Sequence, residues 1–213
     1  MGGTHRVTDP YGRAEAPHRG AESYVVTDIP IFSNIMTIVI TKPEFFPSES
    51  EQIVNMLRSG KADVIHIRKP GASESDVERL ICALPKEFYS RLVLHDHHQL
   101  ALRYGLRGIH LNSRNPGGLQ GFDGTVSVSC HSIAELAERK REKFDYLSLS
   151  PIFDSISKVG YKAAFTPEEL EDAHSKGIID SRVMALGGVT FNRVKDVLEM
   201  GFGGAMILGD AWR

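Results

Sequence analysis

From Met36 onward, short apolar runs alternate with stretches whose apolar residues recur at helical spacing. The runs predict strands at 36–41, 63–68, 91–95, 108–111, 125–129, 145–149, 183–186 and 205–208. Helix starts are marked between them. Ser48 opens a helix to about Arg58, with Glu51 placed to close a capping box, and Ser73 opens one ending near Pro85, with Asp76 in that position. A short helix runs to Arg103. Ser132 with Glu135 opens the next, and two more start at Pro167 and near Asn192. Residues 112–124 carry Asn115-Pro116-Gly117-Gly118 and little helical signal.

Strands that alternate with helices form a parallel sheet, because each parallel pair needs a long crossover. Eight strands close a barrel. The expected fold is therefore α/β, a TIM (β/α)8 barrel. The 213-residue chain, less its first 35, is short against the roughly 250 residues such barrels usually take. It stops at Asp210-Ala211-Trp212-Arg213, where an eighth helix should begin. The barrel is expected to lack most of that helix and to expose the outer faces of its first and last strands. Residues 1–35 are rich in Gly, Pro, His and Arg without periodicity, and predict a disordered extension before one barrel domain over 36–213.

Composition narrows the class. Hydrophobic residues make up 41% and charged residues 24%, as in a globular domain. A net charge of -2 gives no reason to expect nucleic acid. No apolar run nears the roughly 20 residues of a membrane span. Cys82 and Cys130 are too few for a disulfide framework, which suits the cytoplasm.

Candidate chemistry gathers where the strands end. A parallel barrel collects its ligand groups at the carboxyl ends of its strands. His66 and Arg68, His95 and Asp96, Ser129 and His131, and Ser148 and Ser150 all fall there. Side chains alternate faces along a strand. The apolar set of the fifth strand must face the helices, which turns Ser129 and His131 into the barrel mouth. The same rule sends His66 and Arg68 inward. An inward arginine is either paired, with Asp96, or waiting for an anion. Free imidazole changes charge near neutral pH, which makes His131 a candidate for acid–base work. Gly187-Gly188 and Gly209, after strands seven and eight, sit where such barrels hold phosphate on backbone N–H groups. Ser155, Ser157 and Lys158 lie in a loop suited to cover an anionic ligand. His95, His97 and His98 match no strong zinc spacing. Asp96 is a possible magnesium ligand, with Asn115 at the second position.

Taken in order, these segments resemble the thiamine phosphate synthase and thiazole tautomerase superfamily. The resemblance is carried by Ile65-His66-Ile67-Arg68, Leu94-His95-Asp96, Gly108-Ile109-His110-Leu111, Val128-Ser129-Cys130-His131-Ser132, Ser150-Pro151-Ile152-Phe153, Ser157-Lys158, Ala185-Leu186-Gly187-Gly188-Val189 and Gly204-Ala205-Met206. It implies a phosphate-binding barrel in thiamine biosynthesis, taking phosphorylated thiazole or pyrimidine substrates. The synthase joins a pyrimidine methyl diphosphate to a thiazole phosphate, using magnesium. The tautomerase shifts a double bond in a thiazole carboxylate phosphate without metal.

This chain departs from the synthase pattern. His66 replaces a Gln, Pro70 replaces a Lys with Lys69 beside it, His95 replaces an Asn, and Asn115 replaces the second carboxylate of the magnesium site. Tautomerase-like proton transfer is therefore the favoured expectation, with His131 moving the proton and Arg68 and His66 holding the carboxylate or ring. Ser129, His95, Gly187, Gly188, Gly209, Ser155, Ser157 and Lys158 then bind substrate and phosphate. The alternative is the synthase, with Arg68, Asp96 and Lys158 handling diphosphate, residual magnesium at Asp96, and Arg107 and Arg114 near the mouth compensating by holding diphosphate without metal. A third reading is a phosphate-ligand sensor without catalysis. Self-association stays open.

Overall fold

The computed structural model describes residues 35–154 and 162–213. The extension expected over residues 1–35 lies outside these but for its last residue, as do Ser155, Ser157 and Lys158.

Eight parallel strands close a barrel in chain order: β1 Met36–Ile40, β2 Val64–Ile67, β3 Leu92–Leu94, β4 Gly108–Leu111, β5 Thr125–Cys130, β6 Tyr146–Leu149, β7 Val183–Leu186 and β8 Gly204–Ile207. The seam is parallel too, with Met36 opposite Gly204 and Val39 opposite Ile207. Among the described residues six helices cover the outside: α1 Glu49–Arg58, α2 Glu74–Cys82, α3 Gln99–Tyr104, α4 Ile133–Arg139, α5 Pro167–Ser175 and α6 Val194–Glu199.

Alternation along the strands sorts two apolar layers. Val39, Ile65, Ile67, Ile109, Val128, Leu147, Ala185 and Ile207 join the layer under the helices. Ile38, Ile40, Val64, Val93, Tyr146, Met184 and Met206 form a smaller cluster inside the barrel. The inner positions of the polar strands carry His66, His110, Ser127 and Ser148, all buried.

Local structure departs from expectation at several points. Ser48 adopts a left-handed conformation (φ 64°) and makes no side-chain cap, so its box with Glu51 does not form. Instead Glu49 turns inward, where its carboxylate accepts from Lys69 Nζ at 2.6 Å. Ser73 does cap α2, but the Asp76 carboxylate accepts from the Ser73 hydroxyl rather than from backbone. A 3-10 turn over Lys86–Arg91, unmarked by periodicity, leads into β3. Thr166 and Glu169 form a full capping box ahead of Pro167.

After β8 comes a 3-10 turn, Gly209–Trp212. The predicted exposure of the flanking strands does not follow. Val39, Ala205 and Ile207 are 0% exposed, in one apolar layer with Ile53, Val197 and Trp212. The Trp212 indole N–H donates to the Ile40 carbonyl at 2.7 Å, and its ring meets Phe46 edge-on at 5.6 Å. That side chain ties the end of β1 to the turn after β8.

Candidate active site

A cavity of about 400 Å³ opens at the carboxyl ends of the strands. Ile40, Arg68 and His95 line it from the ends of β1, β2 and β3, and His110 from within β4. Ser129 and His131 enter from β5 and Ser150 from the end of β6. Gly187 and Gly188 follow β7, and Gly209 follows β8. The period-two rule that turned Arg68, Ser129 and His131 inward thus delivers them to one space. The same rule turns Lys69 outward, against Glu49, so it does not stand in for the lysine lost at Pro70. Arg107 precedes β4 and lies at the opposite end of the strand from the cavity, so it does not serve the mouth as expected.

His131 is held from two sides. Its backbone N–H donates to Glu135 Oε2 at 2.8 Å, so the α4 box reaches one residue further back than its Ser132 cap. Its ring Nδ1 lies 3.2 Å from the Ser150 hydroxyl.

Beneath the cavity a polar network fills the barrel. His110 Nε2 and Nδ1 lie 2.8 Å from the Ser129 and Ser127 hydroxyls. His66 Nδ1 lies 2.9 Å from His95 Nε2, and its Nε2 lies 2.6 Å from the Tyr146 hydroxyl. The His95 and His110 rings stack at 4.3 Å. Burial is the first cause that drives all three imidazoles below their ordinary pKa, His110 to about 3; neighbouring positive charge adds to it, from His110 and Arg107 on His66, from His110, His66 and the two cavity arginines on His95, and from His98 and Arg68 on His110. They are neutral at physiological pH. His95 and His110 face the cavity; His66 lies under them, out of its lining. Ligand atoms of these three come within 4.8 Å of one another, a spacing a metal ion could bridge. Each is already engaged by a protein partner, and two of the rings are stacked. His97 and His98, which follow His95 in the chain without a zinc spacing, are not in this group. His97 faces away from this cluster, 2.8 Å from the Ala72 carbonyl. The readable signal for His66, His95 and His110 was their shared inward parity.

The cationic side of the cavity is built by Arg68 and Arg114. Among the described residues no carboxylate lies within ion-pair distance of Arg68. Burial first, and then the Arg114 charge, pull its guanidinium below the usual value, while Asp96 offsets them. Arg114 Nε is 3.7 Å from Asp96 Oδ1. Asp96 is thus ion-paired with Arg114 and, among the described residues, not with Arg68.

On the far side, Gly187 and Gly188 adopt positive φ of 92° and 64°. A side chain on Gly187 would lie 2.6 Å from Pro151 Cα, and one on Gly188 would strike the Asp154 carbonyl. Only bare backbone fits there, which suits close approach to an anion.

Residues 37–209 match the family model described as thiamine monophosphate synthase. The chain belongs to this family. Among its relatives, the thiamine-phosphate synthase of Halalkalibacterium halodurans is 29% identical over 172 residues, 76% of this chain and 80% of that one. That of Serratia proteamaculans is 32% identical over 146 residues, 63% of this chain and 65% of that one. The thiamine phosphate pyrophosphorylase structure from Bacteroides thetaiotaomicron is 40% identical, with a TM-score of 0.73, covering 84% of this chain and 85% of that one. The pyrophosphorylase from Pyrococcus furiosus, 20% identical with a TM-score of 0.64, shares the fold.

Family membership places the chain in thiamine biosynthesis. The names of these relatives fit the synthase alternative better than the favoured tautomerase expectation. No helix among the described residues is long and apolar enough to cross a membrane.

For a synthase, the family resemblance implies magnesium, and Asp96 is where it would bind. The donor set does not fit. Asn115 directs its Nδ2 amide donor, not its oxygen, at Asp96 Oδ1, 2.8 Å away, and the same amide donates to the His95 carbonyl at 3.0 Å. A hard divalent cation prefers several oxygen ligands. Here one carboxylate faces an amide donor and two guanidiniums.

Proposed function

We propose that this chain joins a pyrimidine methyl diphosphate to a thiazole phosphate, the synthase reaction for which its relatives are named. The observation that carries the proposal is a cavity with anion-holding groups on two sides. Arg68 and Arg114 stand on one side, with Asp96 in ion-pair distance of Arg114 alone. The backbone of Gly187, Gly188 and Gly209 is bare on the other. Diphosphate binds the guanidiniums, which stabilise charge as it develops on the leaving oxygens. The thiazole phosphate binds the glycine backbone.

The methylene carbon–oxygen bond then breaks, its electron pair leaving with diphosphate. The thiazole nitrogen lone pair forms the new carbon–nitrogen bond, and no proton moves. The methylene carbon becomes electron-poor as the bond breaks. The neutral His95 and His110 at the cavity floor leave no cation to oppose it there. No step passes through a metal.

A second reading, proton transfer on a thiazole carboxylate phosphate, is favoured by His131 standing against Ser150 at the cavity wall. That reaction calls for no metal. Arg68 would then hold the carboxylate and His131 would carry the proton.

Purified protein given each substrate set, with products separated, decides between them. The expected product is thiamine phosphate. Isomerised thiazole without coupling would establish the second reading, and ligand binding without either product would leave a sensor.

A further inference from the structure

Asp96 Oδ1 receives the Asn115 amide, and its Oδ2 is buried with no partner among the described residues. The corner therefore holds one carboxylate beside Arg68 and Arg114, a net positive charge with no second carboxylate. Asn112 does not supply one. Its Nδ2 donates to the His95 carbonyl at 3.2 Å, and its Oδ1 accepts the backbone N–H groups of Arg114 and Asn115 at 3.0 and 3.2 Å. His95, His110 and Ser113 add no negative charge here; the carboxylate of the lining, Asp210, follows β8 and lies 3.8 Å from the Arg213 guanidinium.

A divalent cation arriving here meets two like charges and a single available carboxylate oxygen. A diphosphate meets two fork-shaped donors suited to its oxygens.

We infer that this corner binds diphosphate directly through Arg68 and Arg114, and that Mg2+ weakens this binding instead of supporting it. The inference rests on the proposed coupling reaction only for the identity of the anion. Its physical basis is charge. Magnesium bound to diphosphate cancels two of its negative charges and occupies oxygens that the guanidiniums would take. The complex therefore meets a cationic corner with weaker attraction. Asn115 sets the sign of the effect. An aspartate there would place two carboxylates side by side, the arrangement a hard cation favours.

The test is calorimetric titration of the full chain with inorganic diphosphate, in chelator and in millimolar MgCl2. The expected result is binding in chelator that is several-fold tighter than in MgCl2. Arg114→Gln should loosen the chelator value about tenfold, the scale of one charge-assisted contact. Asn115→Asp should reverse the order, with MgCl2 now giving the tighter binding. Tighter binding of the unaltered chain in MgCl2, no binding in chelator, an unchanged Arg114→Gln, or an Asn115→Asp that keeps the original order would each overturn the inference. Coupling assays separate it from the proposed function. Turnover that occurs only with magnesium sinks the inference and leaves the synthase reading standing. Metal-free diphosphate binding without coupling does the reverse.

Discussion

His66 Nε2 and the Tyr146 hydroxyl lie 2.6 Å apart, joining β2 to β6 through the interior of the barrel. Both residues are buried, and the other nitrogen of His66 is taken by His95. Tyr146→Phe keeps the ring and removes only the hydroxyl, which leaves one buried imidazole nitrogen without a partner. The expected loss is about 1–3 kcal/mol of folding stability, read by chemical denaturation. A loss under roughly 0.5 kcal/mol, the range of neutral surface changes, would mean that this bond does not hold the interior.

The three buried histidines make stability depend on pH. In the unfolded chain they take up protons below about pH 6.5, while the folded barrel keeps them neutral. Their pKa values are depressed on folding, so the unfolded state binds more protons through this window. Stability is full above about pH 6.5 and falls on acidification, until His110 itself protonates at about 3. Each histidine contributes up to about 1.4 kcal/mol per pH unit. Thermal melts from pH 7.5 to 5 should show a steep decline that begins near 6.5. A flat profile would mean that these imidazoles are charged in the folded state.

His131→Ala separates the two reactions in one variant. Proton transfer through this ring should fall by about 10²–10⁴-fold. Coupling needs no proton to move and should stay within roughly tenfold of normal, the loss of one positioning contact. A large, equal loss in both assays would show that His131 positions substrate for either chemistry and is not a dedicated proton carrier.

Lys69 is 1% exposed and Glu49 is 3% exposed. Lys69 Nζ also donates to the Lys42 and Glu44 carbonyls at 2.9 Å, which fastens the loop after β1. Lys69→Met strands a buried carboxylate and should cost about 3–5 kcal/mol. Adding Glu49→Leu should recover most of that loss, because a buried pair is often matched by apolar residues. Equal instability of the single and double variants would assign the effect to the loop carbonyls instead.

Trp212→Ala removes the indole that reaches the Ile40 carbonyl and leaves a void beside Phe46. The expected cost is about 3–5 kcal/mol, typical of a buried Trp truncation. A near-neutral change in urea midpoint would show that the seam between β1 and β8 is held by strand pairing alone.

Alternating apolar runs determined the eight strands, their order and the barrel, because the strand period and the crossover requirement are local and topological rules. Inward parity brought Arg68, Ser129 and His131 to the cavity for the same reason, and sent Lys69 the other way. The glycines at 187 and 188 were legible only as a turn after strand seven, since any tight turn can use such a pair; their positive φ and the backbone packed against them came from the tertiary structure.

Tertiary structure decided what parity cannot reach. Whether Asp96 meets a cation or an amide depends on Asn115, nineteen residues away by the separation of the pair and brought near by the loop after β4. The partners of His66, His95, His110 and Tyr146 come from β2, β3, β4, β5 and β6, and only closure of the barrel sets their distances. Burial then fixes their charge, since desolvation depends on everything packed around them and not on any residue's neighbours in sequence. Trp212 is the same case at the seam. The chain's end read as an uncovered edge, and the contact that covers it joins residues 172 positions apart.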